Sequence, residues 1–138
     1  LDQENTYKAI EALQLFINLY PTSARVPECN GLIDDLRLKL ETKAFDNAKL
    51  YFRIGDYKSA ITAFDNAIND FPDSPFNEEI EFLKIKSKYF YADNSIESKR
   101  QERFKEVVEN YLSFVDQYSK SKYIRDAEKY YDLANQKI

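Results

Sequence analysis

Histidine, tryptophan and methionine are absent from the 138 residues, cysteine occurs once, and glycine and proline number two and four. Without histidine the commonest general base and metal ligand is missing, and one cysteine cannot complete a zinc-ligand set. A lone Cys29 forms no internal disulfide and says little about redox compartment. So few glycines and prolines leave little room for a loop-rich or all-β fold. No Gly-rich phosphate loop, nucleophile elbow or calcium loop occurs. No run of about 18 apolar residues occurs either, so nothing spans a membrane as a helix. The net charge of −4 has interspersed signs, whereas a nucleic-acid binder needs a basic stripe. The local basic runs Lys84, Lys86, Lys88 and Lys99, Arg100, Arg103, Lys105 lie among glutamates and read as solvated helix faces. Acidic pairs such as Asp34/Asp35, Glu78/Glu79 and Glu102/Glu106 read the same way, which leaves paired-carboxylate hydrolysis without support.

What is abundant is aromatic and periodic. Eleven Tyr and ten Phe stand in a chain that is 43% hydrophobic and 32% charged, the composition of a folded, mostly helical protein packed by large rings. The stretch from Gly55 to Ser74 shows how. Gly55-Asp56 breaks a preceding helix and offers Asp56 as an N-cap, and Tyr57, Ala60, Ile61, Phe64, Ala67, Ile68 and Phe71 recur at three- and four-residue steps. Pro72 ends the run. Small Ala60 and Ala67 between large Tyr57, Phe64 and Phe71 admit a close partner helix. Pattern and spacing are those of the second helix of a tetratricopeptide repeat.

The stretch has two further copies. Setting Tyr20-Pro21-Thr22-Ser23 against Phe71-Pro72-Asp73-Ser74 places Ala9 on Ala60, Ile10 on Ile61, Leu13 on Phe64 and Ile17 on Ile68. A third copy ends at Tyr118-Ser119-Lys120-Ser121, with Val107, Val108, Tyr111, Phe114 and Val115 at the same places. The expectation is an all-α, tetratricopeptide-like solenoid of helical hairpins, one domain over 1–138 with about six helices in a right-handed stack. Second helices fall at about 5–20, 57–71 and 99–118, the first capped by Asp2 or Asn5. Between the first two, Ile33, Leu36, Leu40, Ala44, Ala48, Tyr51 and Phe52 run without a breaker, which predicts one unusually long helix over about 26–54. Gly31 is a mild fault near its start, costing about 1 kcal/mol against Ala. Ser74 and Pro75 open a helix over about 75–92 that is apolar on more than one face. A loop follows between Asp93 and about Glu97, and Ser121 opens a helix over about 122–138 that caps the stack.

The Tyr-Pro-Thr-Ser and Phe-Pro-Asp-Ser stops, the long helix leading into Ala48-Lys49-Leu50-Tyr51-Phe52, and Gly55-Asp56-Tyr57-Lys58-Ser59-Ala60 together resemble BamD. This is the tetratricopeptide lipoprotein of the β-barrel assembly machine in Gram-negative bacteria, and the likeness covers almost the whole chain as its later repeats. Lys86-Ser87-Lys88-Tyr89 and the insert from Asp93 to Arg103 look like the Bacteroidetes branch. The chain opens at Leu1 without a basic-then-apolar leader and reads as an excised segment. The resemblance implies a non-enzymatic scaffold at the periplasmic face of the outer membrane, without cofactor or metal. Its implied partner is the barrel-forming subunit, through that subunit's polypeptide-transport-associated domains, with unfolded outer-membrane proteins as further partners and a lipid anchor as the membrane contact. The docking surface it implies is Arg53, Tyr57, Lys58, Thr62, Asn66 and Asn69, with Ala63 where some relatives carry a basic residue. A periplasmic adapter for cell-envelope or peptidoglycan machinery, a carbohydrate-active or hydrolytic helical enzyme and a cytoplasmic adapter are the alternatives.

Two further readings concern single residue types. A clamp for a terminal carboxylate would use first-helix cations, here Lys49 and Arg53, then Lys84 and Lys88, but the paired Asn of such clamps is missing. Among the tyrosines, Tyr51, Tyr57, Tyr89 and Tyr111 sit on apolar stripes and read as core, whereas Tyr7, Tyr91, Tyr123 and Tyr131 are candidates for exposed contact.

Overall fold

A computed structural model describes residues 3–138. Among these residues there are six α-helices and no strand: α1 (Glu4–Leu19), α2 (Val26–Arg53), α3 (Tyr57–Asp70), α4 (Asn77–Asp93), α5 (Glu97–Gln117) and α6 (Ile124–Asn135). The fold class is all-α of the tetratricopeptide type, with α2 unusually long at 28 residues. Packing divides the helices into two compact units, one up to Lys43 and one from Ala44 onward.

One junction is built three times. Tyr20, Phe71 and Tyr118 leave the helical conformation at φ near −130°, −134° and −126°, and each amide closes the last turn on Phe16, Ala67 or Phe114. Three residues on, the amides of Ser23, Ser74 and Ser121 donate back to those same aromatic residues' carbonyls. Each serine Oγ then accepts from the amide two residues further, Arg25, Phe76 or Tyr123, at 3.1–3.2 Å. The serine thereby satisfies an amide that neither helix can. At the middle copy Asn77 adds a lock, its Nδ2 donating to the carbonyls of Phe71 and Pro72 at 2.9 and 3.0 Å.

These turns delay the helices that follow. Pro75 does not open α4, because the Ser74 turn engages the Phe76 and Asn77 amides first, and the helix begins at Asn77. For the same reason α6 begins at Ile124. At the start of the chain, Asn5 lies inside α1, and Gln3 occupies the cap position with no side-chain bond. Asp2, the other cap candidate, lies outside the described residues. The turn between α2 and α3 has a different design. Gly55 at φ +85° carries its own amide to Phe52 O and brings the Asp56 amide to Tyr51 O, the two bonds of a Schellman stop. Asp56 Oδ1 then accepts from the Ser59 amide at 3.2 Å and caps α3.

In the unit from Ala44, helices adjacent in the chain pack on each other, α3 on α4, α4 on α5 and α5 on α6, with a further contact between α4 and α6. One core joins Phe45 and Ala48 of α2 to Ala60, Phe64 and Ala67 of α3 and Ile80 of α4. A second joins Phe82, Ile85 and Tyr89 to Phe104, Val107, Tyr111 and Phe114 of α5 and Ala127, Tyr130 and Ala134 of α6. Helix α4 contributes to both, which is why it is apolar on more than one face. Full burial of each such ring is worth about 1.5–3 kcal/mol. In the unit up to Lys43, Cys29, Ile33 and Leu40 of α2 are buried, whereas α1 buries no residue.

Candidate functional site

The surface of α3 that faces away from the core carries four of the six residues singled out by the resemblance. Lys58, Thr62, Asn66 and Asn69 recur at helical spacing and are all exposed. The first three line an open groove of about 510 Å³ together with Tyr51, Ser59 and Ala63. Thr62 Oγ1 donates to Lys58 O at 3.2 Å, so toward the groove the hydroxyl can act only as an acceptor. Lys58 enters no ion pair among the described residues. The groove therefore offers one unneutralised ammonium, two or three polar groups and a phenol ring.

Asn69 continues the stripe beyond the groove, and Arg53 is exposed on the last turn of α2 without lining it. Tyr57 points elsewhere. Its ring stacks on Phe90 at 5.3 Å and meets the edge of Phe52 at 5.6 Å, so it packs the helices together. Tyr51 reverses the expectation of a core residue, being 41% exposed, with Leu50 and Ile54 exposed beside it. No pattern in α2 alone marks this side as open, because Tyr57 of α3 covers Phe52 on the last turn of α2 while Leu50, Tyr51 and Ile54 stay exposed.

The remaining tyrosines divide by what reaches them from other helices. Tyr89 and Tyr111 are buried as expected, and Tyr7 is exposed. Tyr91, Tyr123 and Tyr131 are not free surface. The Arg103 guanidinium lies 4.2 Å over Tyr91, Tyr123 stacks on Phe82 and donates to Glu79 at 3.0 Å, and Tyr131 stacks on Tyr111 at 4.6 Å. Burial pushes the Tyr123 hydroxyl above its ordinary value, and its bond to Glu79 adds to this.

A carboxylate clamp loses two of its four cations to existing partners. Lys84 Nζ is 2.9 Å from Asp65 and 3.4 Å from Glu81. Burial works to lower the Lys84 ammonium, yet the Asp65 hydrogen bond and the two carboxylate charges outweigh it and raise it. Lys49 sits 3.8 Å from Asp46 and 4.2 Å over the Phe45 ring. Arg100 and Arg103, from the other basic run, hold the turn after α4, Arg100 on Asp93 and Arg103 on Ser95 Oγ at 2.6 Å. Among the described residues no group of three His, Cys, Asp or Glu could hold a metal ion, and no helix is long and apolar enough to cross a membrane.

No curated protein matches this chain. A tetratricopeptide-repeat family model matches residues 48–74, from the buried Ala48 of α2 through the whole of α3 to the Ser74 turn. The matched segment contains the groove and its stripe, in a kind of repeat that mediates protein–protein interactions. The chain is thus a tetratricopeptide-containing protein with its candidate surface inside the repeat.

Proposed function

We propose that this chain is a non-enzymatic scaffold that holds a folded partner domain against the outward stripe of α3 and the last turn of α2. The observation that carries the reading is the groove under Lys58, Thr62 and Asn66, bordered by exposed Tyr51. It combines a free cation, amide and hydroxyl groups and apolar area on two helices whose other faces are fixed in a core. A surface of this kind docks a partner with little loss of ordering entropy.

At the finer level the proposed partner is the barrel-forming subunit of an outer-membrane β-barrel assembly complex, bound through a periplasmic polypeptide-transport-associated domain. The proposed site of action is the periplasmic face of the outer membrane, with unfolded barrel proteins as further clients. Support comes from the resemblance of Ala48–Phe52 and Gly55–Ala60 to BamD and from the long helix at this place in the order of elements. Pull-down of the protein from solubilised outer membranes, read by mass spectrometry, tests both levels. Recovery of the barrel-forming subunit, reduced at least about tenfold by Lys58→Glu, is the expected result. Recovery of peptidoglycan-associated proteins alone would replace it with the envelope-adapter reading, and recovery unaffected by Lys58→Glu would move the docking surface off α3.

A further inference from the structure

Helix α6 is short and firmly seated. Its inner side buries Ala127, Tyr130 and Ala134, and just beyond its end Lys137 Nζ sits 3.1 Å from Asp93, the last residue of α4. The opposite side carries Arg125, Glu128, Lys129 and Asp132, all exposed and spaced at three- and four-residue steps, so they form one charged stripe. Together with half-buried Leu133 they line an open hollow of about 370 Å³.

Within one helix the order of charge along this stripe is a fault. Arg125 and Lys129 are like charges four residues apart, and so are Glu128 and Asp132, an arrangement that weakens a helix. The opposite charges three residues apart do not compensate, since none of the four enters an ion pair among the described residues. Elsewhere the chain places opposite charges where they meet, Glu4 with Lys8, Asp46 with Lys49 and Glu81 with Lys84.

Between two helices the same order is complementary. Read in reverse, plus–minus–plus–minus becomes minus–plus–minus–plus. Two copies of α6 laid antiparallel, about a two-fold axis between Glu128 and Lys129, therefore set Arg125 of each against Asp132 of the other and Glu128 against Lys129. Parallel pairing in register would set like against like. We infer that the outer face of α6 is a self-association surface, and that its occupant is the same face of a second copy of this chain. The hollow takes the long stems of the facing side chains, whose charged ends meet across the seam. Ion pairs at such a surface are individually weak and screened by salt, so the dimer is a weak one. The face lies on α6, apart from the α3 groove, and does not depend on the scaffold reading above.

Sedimentation equilibrium of the whole protein tests the pairing. It should show a monomer–dimer equilibrium with a Kd below about 1 mM at about 20 mM NaCl, weakened about tenfold or more at about 500 mM. Arg125→Glu sets carboxylate against carboxylate across the seam and should weaken the dimer at least about tenfold. Within its own helix the same change places a carboxylate four residues before Lys129, a favourable pair, so circular dichroism should find the variant as helical as the parent. Asp132→Arg should act likewise. The double variant Arg125→Glu/Asp132→Arg reverses the pairing and should recover the dimer. A protein that stays monomeric up to about 1 mM, a dimer indifferent to salt or to Arg125→Glu, or a double variant no more dimeric than either single one would overturn the inference.

Discussion

Helix α1 and helix α5 follow the same pattern and end in the same junction, yet α5 buries Phe104, Val107, Tyr111 and Phe114 while α1 buries nothing. The difference is not in the helices. Leu13 and Phe16 are as apolar as the residues they match, and what separates them is the number of neighbours. α5 lies between α4 and α6, whereas α1 meets only the first part of α2 within its unit. An amphipathic stripe thus sets which face of a repeat helix seeks cover, and the helices on either side decide how much stability that face yields.

The sharpest way to break this comparison is to remove aligned side chains from the two units. Phe64→Ala should cost about 3–5 kcal/mol by urea unfolding, whereas Leu13→Ala, at the aligned place, should cost no more than about 1–2 kcal/mol. Equal losses would mean that α1 is as well covered as α3. A pH series sharpens the account of the unit from Ala44. Burial first, then nearby carboxylates, hold the hydroxyls of Tyr111, Tyr118, Tyr123 and Tyr130 above their ordinary value, and Lys84 is likewise raised. Each group binds its proton more tightly in the folded state, so its contribution is complete below the unfolded pKa near 10 and is lost as pH rises through the folded one. The urea midpoint should therefore stay level up to about pH 9 and fall from about pH 10 upward, with absorbance at 295 nm rising on unfolding at a fixed pH in that range; a flat midpoint would remove these contacts from the stability account. The smallest effect is expected in the other unit. A Cβ added at Gly31 meets nothing within 4 Å, so Gly31→Ala should raise stability by about 0.5–1 kcal/mol, and a loss on thermal melting would show a constraint on that helix face.

Much of the fold was legible because its punctuation is local. The Asp56 cap, the Gly55 stop and the stops at Tyr20, Phe71 and Tyr118 each depend on side chains within five residues of one another. The start of α4 was misread at Pro75 because a proline after a serine suits a helix opening, whereas the serine's bond to Phe76 makes a turn there instead. The candidate surface was legible in part. Lys58, Thr62 and Asn66 stand out as the polar side of an apolar helix, but whether Tyr51 faces the core or the groove depends on where α3 leaves α2. Tyr91, Tyr123 and Tyr131 were misjudged for a similar reason, since Arg103, Phe82 and Tyr111 reach them from other helices.

The serine junction also bears on how such repeats are detected and how they tolerate change. Its three versions read Pro-Thr-Ser, Pro-Asp-Ser and Ser-Lys-Ser after the aromatic, so only the aromatic at the stop and the hydroxyl three residues later are common to all. The two positions between them are free to drift, and a repeat that has lost its proline keeps its turn as long as the hydroxyl stays. A search weighted on proline passes over the third copy, and one weighted on the aromatic-to-serine interval finds all three.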